Sequence, residues 1–213
     1  MFRADKKYIQ YTKTEIWNRS EILHTGWMQD MRKVECLPWM NLQEGEYSGW
    51  WFACFPMEFV QKEKPLPFFL HCDDVEYGLR CGKKPIIIEG VQVWHETYDK
   101  RMTPLMQYYD TRNPLFVNQL YGFLPEPLQL LRQWKDKMTA FHVKGDWLSE
   151  YYVILAMNDF LKGMGWLKRI DAGKYHKKLQ KAKSCKVKNA ICWRLVEHRA
   201  KKKFMVHKNN CSG

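Results

Sequence analysis

The 213-residue sequence has no run of apolar residues approaching the roughly 18 to 20 that cross a bilayer, so no membrane-spanning helix is expected. It has no C-x-x-C pair, and its seven cysteines (Cys36, Cys54, Cys72, Cys81, Cys185, Cys192 and Cys211) are odd in number and scattered. A disulfide framework or a zinc knuckle needs tighter, paired spacing, so these read as reduced thiols. No Gly-rich phosphate loop, internal repeat or low-complexity linker is present. The N-terminal MFRADKKYIQ lacks an apolar stretch of signal-peptide type, so the expected address is cytoplasmic. What the chain does have is 46% hydrophobic and 15% aromatic residues, enough to build a packed core.

Charge is unevenly placed. Residues 168–213 hold 15 Lys or Arg against two acids, Asp171 and Glu197, whereas residues 1–167 hold 20 basic and 21 acidic residues. The formal charge of +12 therefore belongs to the C-terminal stretch, and an anionic partner should meet the protein there.

Residues 1–103 read as mixed strand and helix. Lys7–Thr12, Leu66–Leu70 (LPFFL), Pro85–Ile88 and Val91–His95 suit short strands, and Tyr47–Phe55 suits a strand or a strand-to-loop junction. Pro56 opens a short helix over MEFVQKEK, and Asp73-Asp74 place acids at the start of another. That alternation is an α/β pattern. Residues 104–167 read as helical: Tyr108–Tyr121, Leu128–Val143 and Asp146–Leu161 carry apolar residues at helical spacing, among them Leu130, Trp134, Met138, Tyr151, Leu155 and Phe160. Residues 168–213 read as a basic extension of thin hydrophobic content.

Three short groups carry possible chemistry: Gly49-Trp50-Trp51, His71-Cys72-Asp73-Asp74 and Trp94-His95. Adjacent carboxylates at a strand-to-helix junction can raise one pKa and so supply a general base near neutral pH. A histidine at a strand end can present a neutral imidazole to a divalent metal. Paired tryptophans offer flat faces to the C–H surface of a sugar ring. Each has a plainer explanation: helix capping for the acids, a hydrogen-bonded histidine, core packing for the tryptophans. His71 and Cys72 beside the carboxylates do not complete a metal-ligand set.

Order and spacing add to this. Tyr47-Ser48-Gly49-Trp50-Trp51, Pro65-Leu66-Pro67-Phe68-Phe69, Asp73-Asp74-Val75-Glu76-Tyr77-Gly78-Leu79-Arg80, Val93-Trp94-His95, and Tyr108-Tyr109 with Arg112-Asn113 follow one another. Together they resemble the family 2 glycosyltransferases of the galactofuranosyltransferase type, best over residues 34–120. The resemblance implies part of a GT-A-type α/β domain, followed by an α-helical region. It implies an inverting transfer from a nucleoside-diphosphate sugar to a glycan or lipid-linked glycan acceptor. Asp74 would be the general base, Asp73 would shape the acceptor site, and Trp50, Trp51 and Glu76 would line it. His95 would bind Mn²⁺ or Mg²⁺. The family's nucleotide-binding βαβ region and D-x-D motif stand upstream of these motifs, and this sequence contains no D-x-D triplet. The chain, whether a truncated gene, a late start or a fragment, is therefore expected neither to bind a sugar nucleotide tightly nor to turn over unaided. A half-domain is also expected to be poorly soluble, self-associating or dependent on a partner.

The basic stretch suits attraction to anionic lipid headgroups on the inner face of a membrane, each cation near such a surface contributing about 1 kcal/mol. Nucleic acid ranks below that, because no RNA-binding or zinc-finger signature accompanies the charge. The competing class is a non-enzymatic basic adaptor in which the motif residues are purely structural.

Overall fold

Pro56 has φ −56°, close to its fixed ring value, and lacks an N–H that a helix start would leave unpaired; α1 (Met57–Lys62) follows it directly. α2 (Asp73–Cys81) begins with its two aspartates, which complement the helix dipole. It ends at Gly82, whose φ of 63° is the left-handed conformation glycine adopts without penalty, with its N–H on the carbonyl of Leu79. The computed structural model describes residues 2–5, 8–11, 50, 53–83, 102–182 and 193–210, the side chains of the last helix as far as Phe204.

Three longer helices form the centre. α3 (Met106–Leu120) carries Pro114 in its interior, α4 (Pro127–Val143) starts on a proline, and α5 (Trp147–Leu161) is capped by Asp146, whose side chain accepts from Ser149 N–H at 3.1 Å. α5 lies against α3, α4 and the C-terminal helix α8 (Trp193–Asn210). That is why it is apolar almost all round. Phe116 from α3, Trp134 from α4, Phe160 from α5 and Val196 with Ala200 from α8 meet in one core, and each is at least nine-tenths buried. α6 (Met164–Arg169) inserts Leu167 into this core, and α7 (Ala172–Leu179) brings Leu179 to a second cluster with Tyr108, Tyr109 and Tyr152.

Among the described residues the strands are those of one antiparallel hairpin, β1 (Phe2–Asp5) and β2 (Tyr8–Tyr11), with Phe2 opposite Tyr11 and Asp5 opposite Tyr8. The expected GT-A-type α/β domain is therefore corrected: the described chain is predominantly helical and contains no βα sheet. The apolar run Leu66–Leu70 illustrates why. Pro65 and Pro67 remove ladder donors, and Phe69, His71 and Cys72 take positive φ, so the segment turns upon itself instead of extending. The strands expected at 85–88 and 91–95 lie outside the described residues. The helices expected over 108–121, 128–143 and 146–161 are present as α3, α4 and α5. No described helix is long and apolar enough to cross a membrane.

Candidate functional site

The turn leading into α2 is strained. Phe69, His71 and Cys72 have φ of 75°, 59° and 68°, a region that costs a side-chain-bearing residue about 1–3 kcal/mol. Two buried residues of α3 hold it. Arg112 Nη2 donates to the carbonyl of Phe68 at 2.8 Å, and Asn113 Nδ2 donates to those of Leu70 and His71 at 2.6 and 2.8 Å. Arg112 Nε donates to Asn113 Oδ1 at 2.8 Å, which fixes the amide so that its donors face the turn.

The clamp continues inward. Arg112 Nη1 donates to Tyr108 Oη at 3.1 Å, and that hydroxyl donates to Asp159 Oδ2 at 2.7 Å. Asp159, 0% exposed, also accepts from the hydroxyl of Tyr175 and from Lys162 Nζ at 2.6 Å. From the other side Phe69 stacks on His176 of α7 at 4.2 Å, and His176 Nδ1 meets Tyr109 Oη at 2.9 Å. A helix from the basic stretch thus packs on the turn. Burial lowers the pKa of His176, so its ring joins this stack in the neutral form near pH 7.

The turn sets down four ionisable groups together. Burial, and next the charge of Asp73, push the Asp74 carboxyl up to about 6. The N–H of Val75, which donates to Asp74 Oδ1 at 2.8 Å, and nearby His71 act in the opposite direction. His71 Nδ1 is hydrogen-bonded to Asp110 Oδ1 of α3. Burial disfavours charge on that imidazole, but the bond and charge of Asp110, followed by Asp74 and Asp73, outweigh it and raise the pKa. Lys137 of α4 feels Asp110 as well, while burial lowers its pKa. Buried Cys72 is unsuited to nucleophilic or ligand chemistry, since burial and the same three aspartates push its thiol up. The arrangement can take a proton: Asp74 is largely ionised at pH 7 and more basic than an ordinary carboxylate.

Asp73 and Asp74 stand as the first two residues of α2, both partly exposed. Trp50, 37% exposed, sets its ring edge-on to Tyr77 at 5.4 Å, one helical turn past the aspartates. Phe55 and Phe59 pack on the same tyrosine at 5.0 and 4.7 Å. Glu76 is 2% exposed and gives both oxygens to Arg80, at 2.7 and 3.2 Å. Trp51 and His95 lie outside the described residues. Among the described residues no group of three or more His, Cys, Asp or Glu side chains is arranged to hold a metal, so the implied Mn²⁺ or Mg²⁺ finds no ligand set there.

Sequence reasoning missed Asp110, and with it the significance of His71. The signal was available: Asp110 sits between Tyr108-Tyr109 and Arg112-Asn113, the pair that pins the turn carrying His71.

No family model matches the chain, and no solved structure does. Two curated proteins are similar to it. It is 30% identical over 128 residues to the galactofuranosyltransferase GlfT2 of Mycolicibacterium smegmatis, covering 55% of this chain and 19% of that protein. It is 26% identical over 171 residues to the galactofuranosyltransferase GlfT2 of Mycobacterium tuberculosis, covering 75% of this chain and 24% of that protein. The chain thus spans about a fifth to a quarter of the length of the curated relatives it matches. The similarity is distant and partial, and both relatives are glycosyltransferases.

Proposed function

We propose that this chain carries the acceptor-side proton chemistry of an inverting glycosyltransferase, with Asp74 as the general base. The acceptor hydroxyl would lose its proton to Asp74 as its oxygen bonds to the anomeric carbon. The bond from that carbon to the nucleoside diphosphate breaks in the same displacement, and its electron pair leaves with the diphosphate. Asp73 raises the basicity of Asp74, and Trp50 offers an apolar face one turn away for the acceptor sugar. The similarity to two galactofuranosyltransferases supports galactofuranose as the transferred sugar and a glycan as acceptor. A Mn²⁺ or Mg²⁺ held by His95 would offset charge on the leaving diphosphate, and no step assigned to the described residues passes through it.

The observation that carries this reading is the placement of Asp74 beside Asp73 at the start of α2, after a turn held by Arg112 and Asn113, where burial and its neighbour push the carboxyl up to about 6. Saturation-transfer NMR of the full chain with a galactofuranosyl oligosaccharide tests the acceptor half. Contacts to the sugar ring are expected, and they should weaken in Trp50→Ala. In a version extended by a donor-binding region, Asp74→Asn should lower transfer roughly 100-fold or more, while nucleotide binding stays within twofold. Wild-type transfer by that variant would remove Asp74 from the mechanism.

A further inference from the structure

The C-terminal end of α5 and the middle of α8 form an open pocket of about 190 Å³ lined by Asn158, Leu161, Lys162, Arg199 and Lys203. Three of those five side chains are cations, and their partners are unequal. Lys162 Nζ is neutralised by Asp159 at 2.6 Å, and rests over the Trp166 ring at 4.8 Å. Arg199 and Lys203 meet only neutral acceptors among the described residues. Arg199 Nη1 donates to Asn158 Oδ1 at 2.8 Å, and Lys203 Nζ donates to the carbonyl of Leu161 at 2.8 Å. Glu197, on the preceding turn of α8, is committed to Lys201 at 2.7 Å. Asp159, next to Asn158 in sequence, has Oδ2 occupied by Tyr108 and Tyr175 from inside the bundle and Oδ1 by Lys162 itself.

Lysines at a helix C-terminus ordinarily cap its last carbonyls and offset its dipole. That explains one N–H of Lys203. Lys203 Nζ also lies over the Phe160 ring at 5.9 Å, and burial lowers its pKa; the exposed Arg199 fork meets no carboxylate among the described residues, so neither cation is neutralised by an acid. Gly163, at φ 83°, makes the turn that brings the end of α5 under Lys203; a Cβ there would sit 3.6 Å from Nζ. The volume is that of roughly six waters, room for one tetrahedral oxyanion or two that are linked.

We propose that this recess is a phosphoryl-binding site: Arg199 and Lys203 grip the oxygens of a phosphate or diphosphate group, with Lys162 and Asn158 at its edge. The group belongs either to a soluble phosphorylated compound or to the headgroup of an anionic lipid. The assignment is independent of the role of Asp74, so either can fail without the other.

The test uses the full chain. Inorganic pyrophosphate is titrated calorimetrically at fixed ionic strength against chloride. In parallel, the chain is pelleted with phosphatidylcholine vesicles with and without phosphatidylglycerol. Arg199→Gln and Lys203→Met should each weaken binding by about tenfold, the loss of one charge-assisted hydrogen-bond set. Lys202→Gln, which removes the same charge from an exposed position of α8, should change it less than twofold. Variant-sensitive binding of pyrophosphate identifies a soluble source, and variant-sensitive binding of vesicles alone identifies a headgroup. Failure to bind either, or equal losses in Lys202→Gln, overturns the site, because the attraction is then absent or diffuse. Arg199 is exposed, so Arg199→Gln decides the outcome even if Lys203→Met does not fold.

Discussion

Asp159 and Asp74 are both drawn back from solvent, yet they are treated in opposite ways. Asp159 is fully enclosed and receives Tyr108, Tyr175 and Lys162, so each of its oxygens is matched by donors. Asp74 accepts from the Val75 N–H at Oδ1, with its own backbone N–H acting in the same sense, but has a second carboxylate beside it and a partly buried position. The first arrangement builds a fixed point for the bundle. The second leaves an acid holding its proton to about pH 6, above the ordinary carboxylate range. The same polar chain joins them, through Tyr108 and Arg112 to the turn, so the satisfied acid supports the geometry of the unsatisfied one.

The largest way to break that comparison is Asp159→Ala. It strands a lysine and two tyrosyl hydroxyls, and should cost about 3–5 kcal/mol, read from the urea midpoint. Asn113→Ala frees the carbonyls of Leu70 and His71 and should cost about 1–3 kcal/mol. Hydrogen exchange over residues 65–72 should speed up more than in α4, since the loss is local.

Asp74→Asn should act in the other direction. An unfolded aspartate titrates near pH 3.9, and Asp74 at about 6, so the folded chain holds this proton more tightly. The resulting stability is complete below about pH 4 and is lost as pH rises through about 6. The variant avoids that loss. Discounted for partial exposure, it should be about 1–2 kcal/mol more stable than the wild type at pH 7. The two should match below about pH 4, as checked by denaturation across that range. The smallest effect on stability belongs to Asp110→Asn, which sharpens the comparison by probing the far side of the cluster. It should lower the His71 pKa, followed by the imidazole carbon-bound protons in NMR. An unmoved His71 titration would show that Asp110 is not its support.

Much of the helical half was legible because its core positions recur at helical spacing: Leu130, Trp134 and Phe160 are all buried, as their periodicity suggested. The start of α2 was legible for a different reason, two acids placed ahead of an apolar turn. Leu66–Leu70 misled because a short apolar run looks the same whether it extends or turns, and its conformation is imposed by Arg112 and Asn113, more than 40 residues away. The packing of α8 was equally hidden. It rests on Val196 and Ala200, one of which is too small to register as a hydrophobic anchor in a lysine-rich stretch. The DD pair was legible as the start of a helix, whereas the His71–Asp110 bond joins residues 39 apart and could be suspected only from the place of Asp110 between Tyr108-Tyr109 and Arg112-Asn113.

The basicity proposed for Asp74 comes from where the turn puts it. A carbon-detected NMR titration of the aspartate carboxyls reads this directly. A midpoint at about 6 is expected for Asp74, falling when Asp73 is changed to Asn. A midpoint near the ordinary carboxylate value in the folded chain, indifferent to Asp73, would contradict it.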